Sequence, residues 1–414
     1  MGRRARRTAI SCACVLLLYF VCELVSVAGM RLADLRRGYR LEFGVPVLDE
    51  ERMRELRALL ASGDGARGMI VHDPDLGWRL RPGYSGGGQR TNAAGLVATR
   101  EYDQRPAPGT ARIAAFGDSF TQCVVPNEAT WEQLLEESCR GIEVLNFGVS
   151  AYGPDQAYLR YAREGRKYHP GIVLIGYMTE NLARLVNVFR PYADPMNAPL
   201  AKPRFTRAEG PLELVPNPLA DRNALMELLS LNENPALRDR LGRHDNYYRR
   251  YYYRRPPRLV RYSPLARLAF SVFLVGDWKL RDLTMTNIHA ADGRYNTGSE
   301  AYRLLEALLL QWTGEIARDG AVPVVLVFPQ RSDIERWRGG EGMKQYEPLL
   351  EFLQGARIAC IDLIDAFPPR ETAEAFTADG HYSALGNRLV AARVGEALVR
   401  RGLVAGPCQG MGMP

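Results

Sequence analysis

From residue 111 onward, short apolar runs alternate with amphipathic stretches. Residues 113–116, 142–147 and 172–177 are apolar runs of strand length, bounded by Gly117-Asp118, by Gly148 and by Pro170-Gly171. Thr130-Trp131-Glu132-Gln133 is a capping-box pattern that predicts a helix ending near Gly141, and a second helical stretch covers about 155–166. The alternation breaks from residue 184 to 297 and then resumes. Ser299 caps a helix with Leu304, Leu305, Leu308, Leu309, Trp312 and Ile316 on one face, stopped by Asp319-Gly320. A strand at 322–328, a helical stretch at 346–353 and a strand at 358–363 follow. Ser383 opens the last helix, with Leu385, Leu389, Val390 and Leu398 on one face and Gly402 past its end. Strands and helices joined by short connections predict an α/β domain with a parallel five-stranded sheet over 111–402, interrupted by a long, mainly helical insertion at 184–297.

The N-terminus follows another pattern. Arg3, Arg4, Arg6 and Arg7 precede an apolar run at 8–29, broken only by Glu23. About 20 apolar residues span a bilayer, whereas the apolar part of a cleaved signal has about 7–15. Ser26 and Ala28 satisfy the small-residue rule for cleavage, so residues 1–29 read as a signal peptide or a membrane anchor. Arginines ahead of the run favour an N-terminus inside and a body outside, so the protein is expected on the exported side of the cell envelope. Residues 30–110 hold a Glu/Arg-rich helical stretch at 49–61, then Gly- and Pro-punctuated sequence with a strand-like piece at 76–80. They predict an arm or small subdomain, and residues 403–414 a flexible tail.

Composition changes this picture little. With 46% hydrophobic and 24% charged residues among 414, the chain is neither disordered nor collagen-like. The net charge of +7 is local: residues 1–29 carry +3 and residues 235–262 carry +7, leaving −3 for the rest. That distribution excludes a general nucleic-acid coat. The Arg/Tyr run at 247–255 suits an anionic polymer, sugar rings or lipid head groups, or else a solvated helical face with partly buried tyrosines. The seven cysteines contain no C-x-x-C, so no metal site is expected. An oxidising compartment would permit disulfides. A Cys123–Cys139 bond is disfavoured, because the helix between them spans roughly 15 Å while bridged Cα atoms lie at most about 7 Å apart.

Ligands of open parallel sheets bind at the carboxyl ends of strands. Ser119 follows the first strand, Gly148 the second and Asn181 the third, and Asp379 and His381 lie in the loop after the fifth. A serine, a histidine and a carboxylate on converging loops supply a nucleophile, a general base and its orienting partner. His72, His169, His244 and His289 have no such strand-end serine and read as structural.

The blocks Gly117-Asp118-Ser119-Phe120-Thr121, Asn146-Phe147-Gly148, Gly176-Tyr177-Met178-Thr179-Glu180-Asn181 and Asp379-Gly380-His381 come in this order. In that arrangement the chain resembles the SGNH/GDSL-type serine hydrolases, over about 180 residues and including the Arg90-Thr91-Asn92 arm that leads in. The resemblance implies a three-layer α/β/α, flavodoxin-like fold without metal or cofactor. It implies Ser119 as nucleophile, His381 as base and Asp379 as its partner. The oxyanion hole would then comprise the N–H groups of Ser119 and Gly148 and the Asn181 side chain. Gly148 would be glycine so that its amide can approach substrate, with Gly153 a rival for that place. Asp118 reads as a turn residue. Asn181 is followed by Leu182 where the family has Asn-Asp, which leaves a helix-cap role open. Cys123 stands where relatives commonly have glycine, and either narrows the site or fills an apolar gap.

The expected activity is ester cleavage at O-acyl groups, acetyl above all, of an envelope carbohydrate or lipid. The same triad would serve O-acetyl transfer to an exported polysaccharide. A non-catalytic polysaccharide-binding protein needs no such trio. The insertion emerges on the active face, placed as a lid or substrate wall.

Overall fold

The computed structural model describes residues 2–37, 47–61, 68–194, 196–207, 210–249, 258–269, 288–405 and 408. Most of the Arg/Tyr run, residues 250–255, lies outside them.

Helix α1 (Arg3–Arg37) contains a 27-residue stretch, Arg6–Leu32, long and apolar enough to cross a membrane, and only 6% of its most apolar window is buried. The arm supplies α2 (Glu50–Ala61) and the hairpin β1 (Ile70–Asp73) and β2 (Gly77–Leu80). The main domain then runs β3 (Ala111–Phe116), α3 (Ser119–Gln122), α4 (Trp131–Ser138), β4 (Ile142–Asn146), α5 (Pro154–Arg163), β5 (Ile172–Met178) and α6 (Asn181–Arg184). After the insertion come α7 (Glu300–Arg318), β6 (Val322–Phe328), α8 (Glu347–Gly355), β7 (Ala359–Asp362) and α9 (Ala384–Arg400).

The sheet order is β7-β6-β5-β3-β4, every neighbouring pair parallel. Counted along the chain this is the 2-1-3-4-5 order of flavodoxin-like folds, whose direction of winding reverses at the first strand and opens a crevice at the strand ends there. Helices α5 and α7 pack together, as do α4 and α9. The six apolar residues anticipated on α7 are all buried, and Phe116 stacks on Phe147 at 4.6 Å beside Trp312 and Tyr161. The caps are formed as the sequence indicates: the side chains of Thr130, Ser299 and Ser383 accept from the N–H groups of Gln133, Tyr302 and Gly386.

Arm and insertion are not separate bodies. Leu48 and Leu56 of the arm share one apolar core with Phe189, Leu219, Leu228 and Leu231 of the insertion. The Asn232 side chain bonds the Leu48 N–H and C=O at 3.1 and 2.8 Å. The insertion adds short helices, among them Arg222–Glu227 and Pro235–Gly242, and a hairpin of Arg204–Thr206 with Glu213–Val215. Tyr248, from the Arg/Tyr run, is buried in this core, with its hydroxyl on Asp239.

Cys408 is disulfide-bonded to Cys139, the C-cap of α4, closing a separation of 269 residues. Cys123 is free and is not bonded to Cys139.

Candidate active site

β3 delivers the chain into Gly117-Asp118, and Asp118 caps α3 by accepting from Phe120 N–H at 2.9 Å. Its other oxygen accepts from Arg184 Nη1 at 3.0 Å. Ser119, the first residue of α3, therefore sits on a turn pinned from both sides, and its own N–H has no acceptor within so short a helix. The arm braces the far end of α3, where Gln89 Nε2 donates to the carbonyls of Cys123 and Val125 at 2.7 and 3.0 Å. Arg90 ends a two-residue strand, Thr91 bridges Val97, and Asn92 leads into the turn that follows, its Oδ1 accepting from the N–H groups of Ala94 and Leu96.

Asp379 and His381 lie on a tight loop closed by a Phe376–Tyr382 bridge and by Thr377 N–H on the His381 carbonyl at 2.8 Å. Gly380 takes φ +87° there, a conformation that favours glycine. Buried Tyr382 anchors the loop through its hydroxyl on the Pro329 carbonyl, and its ring packs on Phe120 at 4.8 Å. The result brings His381 Nε2 to 2.9 Å from Ser119 Oγ. Asp379 Oδ2 lies 3.1 Å from Nδ1 on the other side of the ring, off the line of an Nδ1–H bond. Such contacts are often loose without substrate. The Thr377 hydroxyl, and then the His381 ring, hold the Asp379 carboxyl below the usual range, so it stays ionised at neutral pH. Thr377 was not anticipated. The only sequence signal for it is a hydroxyl two residues before the acid in a Gly-closed loop.

Asn181 opens α6 rather than capping it, since the cap position is Glu180. It is buried, and its Oδ1 finds no donor among the described residues. Gly148 N–H donates to Asn146 Oδ1 at 2.9 Å, and a Cβ there would lie 2.1 Å from the backbone nitrogen of Gln122. The close approach of α3 by itself thus requires glycine here. Gly153 N–H is likewise engaged, by Gln156 Oε1 at 3.0 Å.

Cys123 takes φ +61°, a left-handed backbone that explains why glycine suits this position. Its buried thiol is within reach of Asn387 Oδ1 at 3.0 Å and Glu132 Oε2 at 3.5 Å, so it fills space between α3, α4 and α9. Burial raises the pKa of this thiol and of the Glu132 carboxyl well above their ordinary values. The folded protein therefore keeps the Glu132 proton over a pH range in which the unfolded chain has released it. Stability from this group falls as pH rises from about 4.5 toward the folded value. Glu132→Gln is expected to flatten that decline and raise Tm at pH 8, by about 1 °C per kcal/mol recovered. Thermal melts of both proteins from pH 5 to 8 check this; parallel curves would refute it.

No family model and no curated protein matches the chain. The search of solved structures does return neighbours. They include lipolytic proteins of the G-D-S-L family. A GDSL-like lipase from Bacteroides thetaiotaomicron is 10% identical, with 72% of this chain and 93% of that one covered at a TM-score of 0.34. A member of the lipolytic protein G-D-S-L family from Veillonella parvula is 12% identical, with 70% and 100% covered at 0.30. With TM-scores this low, the reading of the site rests on the strand order and side chains described above.

Proposed function

We propose that the protein is a serine esterase that cleaves O-acyl groups, acetyl above all, from a carbohydrate or lipid of the cell envelope. The observation that carries this reading is the 2.9 Å contact of His381 Nε2 with Ser119 Oγ at the carboxyl edge of a parallel sheet. Ser119 Oγ attacks the ester carbonyl while His381 takes its proton, and the ring later returns that proton to the leaving alcohol. Water then attacks the acyl-enzyme, again through His381, and regenerates Ser119. Asp379 steadies the imidazolium that forms in each step. The Ser119 N–H and the Asn181 Nδ2 amide would serve the oxyanion. Gly148 N–H joins them only by releasing Asn146. One such donor is worth about 2.7–4 kcal/mol in the transition state.

An envelope location is supported by α1, with its arginines ahead of the apolar run, and by the Cys139–Cys408 disulfide, which needs an oxidising compartment. The test is labelling of the full chain with a fluorophosphonate, which traps an activated serine. Wild type is expected to label at Ser119 and Ser119→Ala not at all. An unlabelled wild type, or equal labelling of the two, sinks the esterase reading. Acetylated sugars supplied with and without an acceptor alcohol then separate hydrolysis from transfer.

A further inference from the structure

Between residues 8 and 30, α1 carries a single charged side chain, Glu23. Its carboxylate accepts from the Ser263 hydroxyl and, at 2.7 Å, from the Leu265 N–H of the insertion. Leu268 comes within 3.9 Å of the Cβ position of Gly29. Six residues, about 9 Å of helix, separate Glu23 from Gly29, and the contacts step from 263–265 to 268. Residues 263–268 therefore run beside α1 in the same direction. The covered positions of α1 form one stripe at helical spacing, with Ser26 at 2% exposure and Cys22, Glu23, Val27 and Met30 partly covered. Leu16, Leu17, Phe20, Leu24 and Val25 remain bare.

The apolar run of α1 is about 33 Å long, close to the thickness of a bilayer core. Arginines at its start place its far end on the exported side, with Glu23 about 9 Å inside that end. A carboxylate at such depth lacks water and needs donors from protein. The groups that supply them, Ser263 and Leu265, lie at the same depth. Next to them the insertion turns Leu259 and Tyr262 outward at 68% and 77% exposure. Arg258, Arg261 and Arg267 share this segment, and Arg254 and Arg255 precede it in sequence. Apolar groups, a tyrosine and several cations together suit the boundary between acyl chains and anionic head groups. The sequence continues apolar through Phe270, Val272, Phe273, Leu274 and Val275.

We propose that residues 258–269 are embedded in the outer leaflet beside α1, giving the insertion its own membrane contact. This rests on reading α1 as a membrane-spanning helix. Glu23 is the polar latch between the two elements, and the insertion that bears the contact starts directly after α6, beside the candidate site.

The test uses the full chain in phosphatidylcholine/phosphatidylglycerol vesicles whose acyl chains carry a photoactivatable diazirine. Labelled residues are mapped by mass spectrometry after irradiation. Labels on residues 15–18 of α1 and on Leu259 and Tyr262 are expected. Labels on α1 with none across 258–269 would overturn the proposal and leave the spanning helix standing. No label on α1 would overturn the spanning reading itself, and the proposal with it.

Discussion

His381→Ala is expected to reduce kcat on an activated acetyl ester by on the order of 10^4–10^6-fold, with KM changed little. The ring is the only base within 2.9 Å of Ser119 Oγ among the described residues, and it touches the reacting atoms rather than the rest of the substrate. Without it, the serine must lose its proton to water, at which point the acyl-enzyme ceases to form at a useful rate. Asp379→Asn should cost less than in enzymes with a buried acid, about 10^2-fold. Its carboxylate is 61% exposed, so water screens much of its pull on the imidazolium. Thr377→Val should fall between that variant and wild type, because it removes only the hydroxyl that positions Asp379. Steady-state kinetics on purified variants check the order. A His381→Ala enzyme within tenfold of wild type would mean that another group is the base.

What could be read from the sequence is what local periodicity encodes. The leucine stripe of α7, the capping side chains at Thr130, Ser299 and Ser383, and five apolar runs of strand length each describe neighbours within about five residues. From them, the carboxyl-edge rule for parallel sheets places Ser119 and His381 together although 262 residues separate them. Contacts without a periodic signature were not legible. Arg184 on Asp118, Asn232 on Leu48 and Cys139 on Cys408 join positions 66, 184 and 269 residues apart, and no spacing rule selects those partners from other arginines, asparagines or cysteines. Gly148 shows a subtler limit. Its identity was foreseen, but one reason for it lies in how closely α3 crosses above it, a distance that only the packed structure contains.

The largest effect on stability is expected where the insertion meets the sheet domain. Asp155, in the first turn of α5, and Lys202, in the insertion, are both fully buried and joined by a direct ion pair. Lys202 also donates to the Pro203 carbonyl at 3.1 Å, and Asp155 Oδ1 accepts from Gln156 N–H at 2.9 Å. Burial, joined by the Arg204 and Arg190 charges, pulls the lysine below its ordinary pKa, and the nearby Asp155 charge opposes that shift. Arg190, pushed down to about 10 by burial and by Arg184, shows how dense the cations are on this seam. Lys202→Met leaves a carboxylate in the interior with no countercharge in contact, and is expected to cost about 3–5 kcal/mol. Lys202→Met combined with Asp155→Leu removes both charges and should cost far less than the sum of the single changes. Urea unfolding of the four proteins closes the cycle. Additive losses would mean that the two charges do not interact. A strong coupling would mean that this pair joins the insertion to α5 through its two charges.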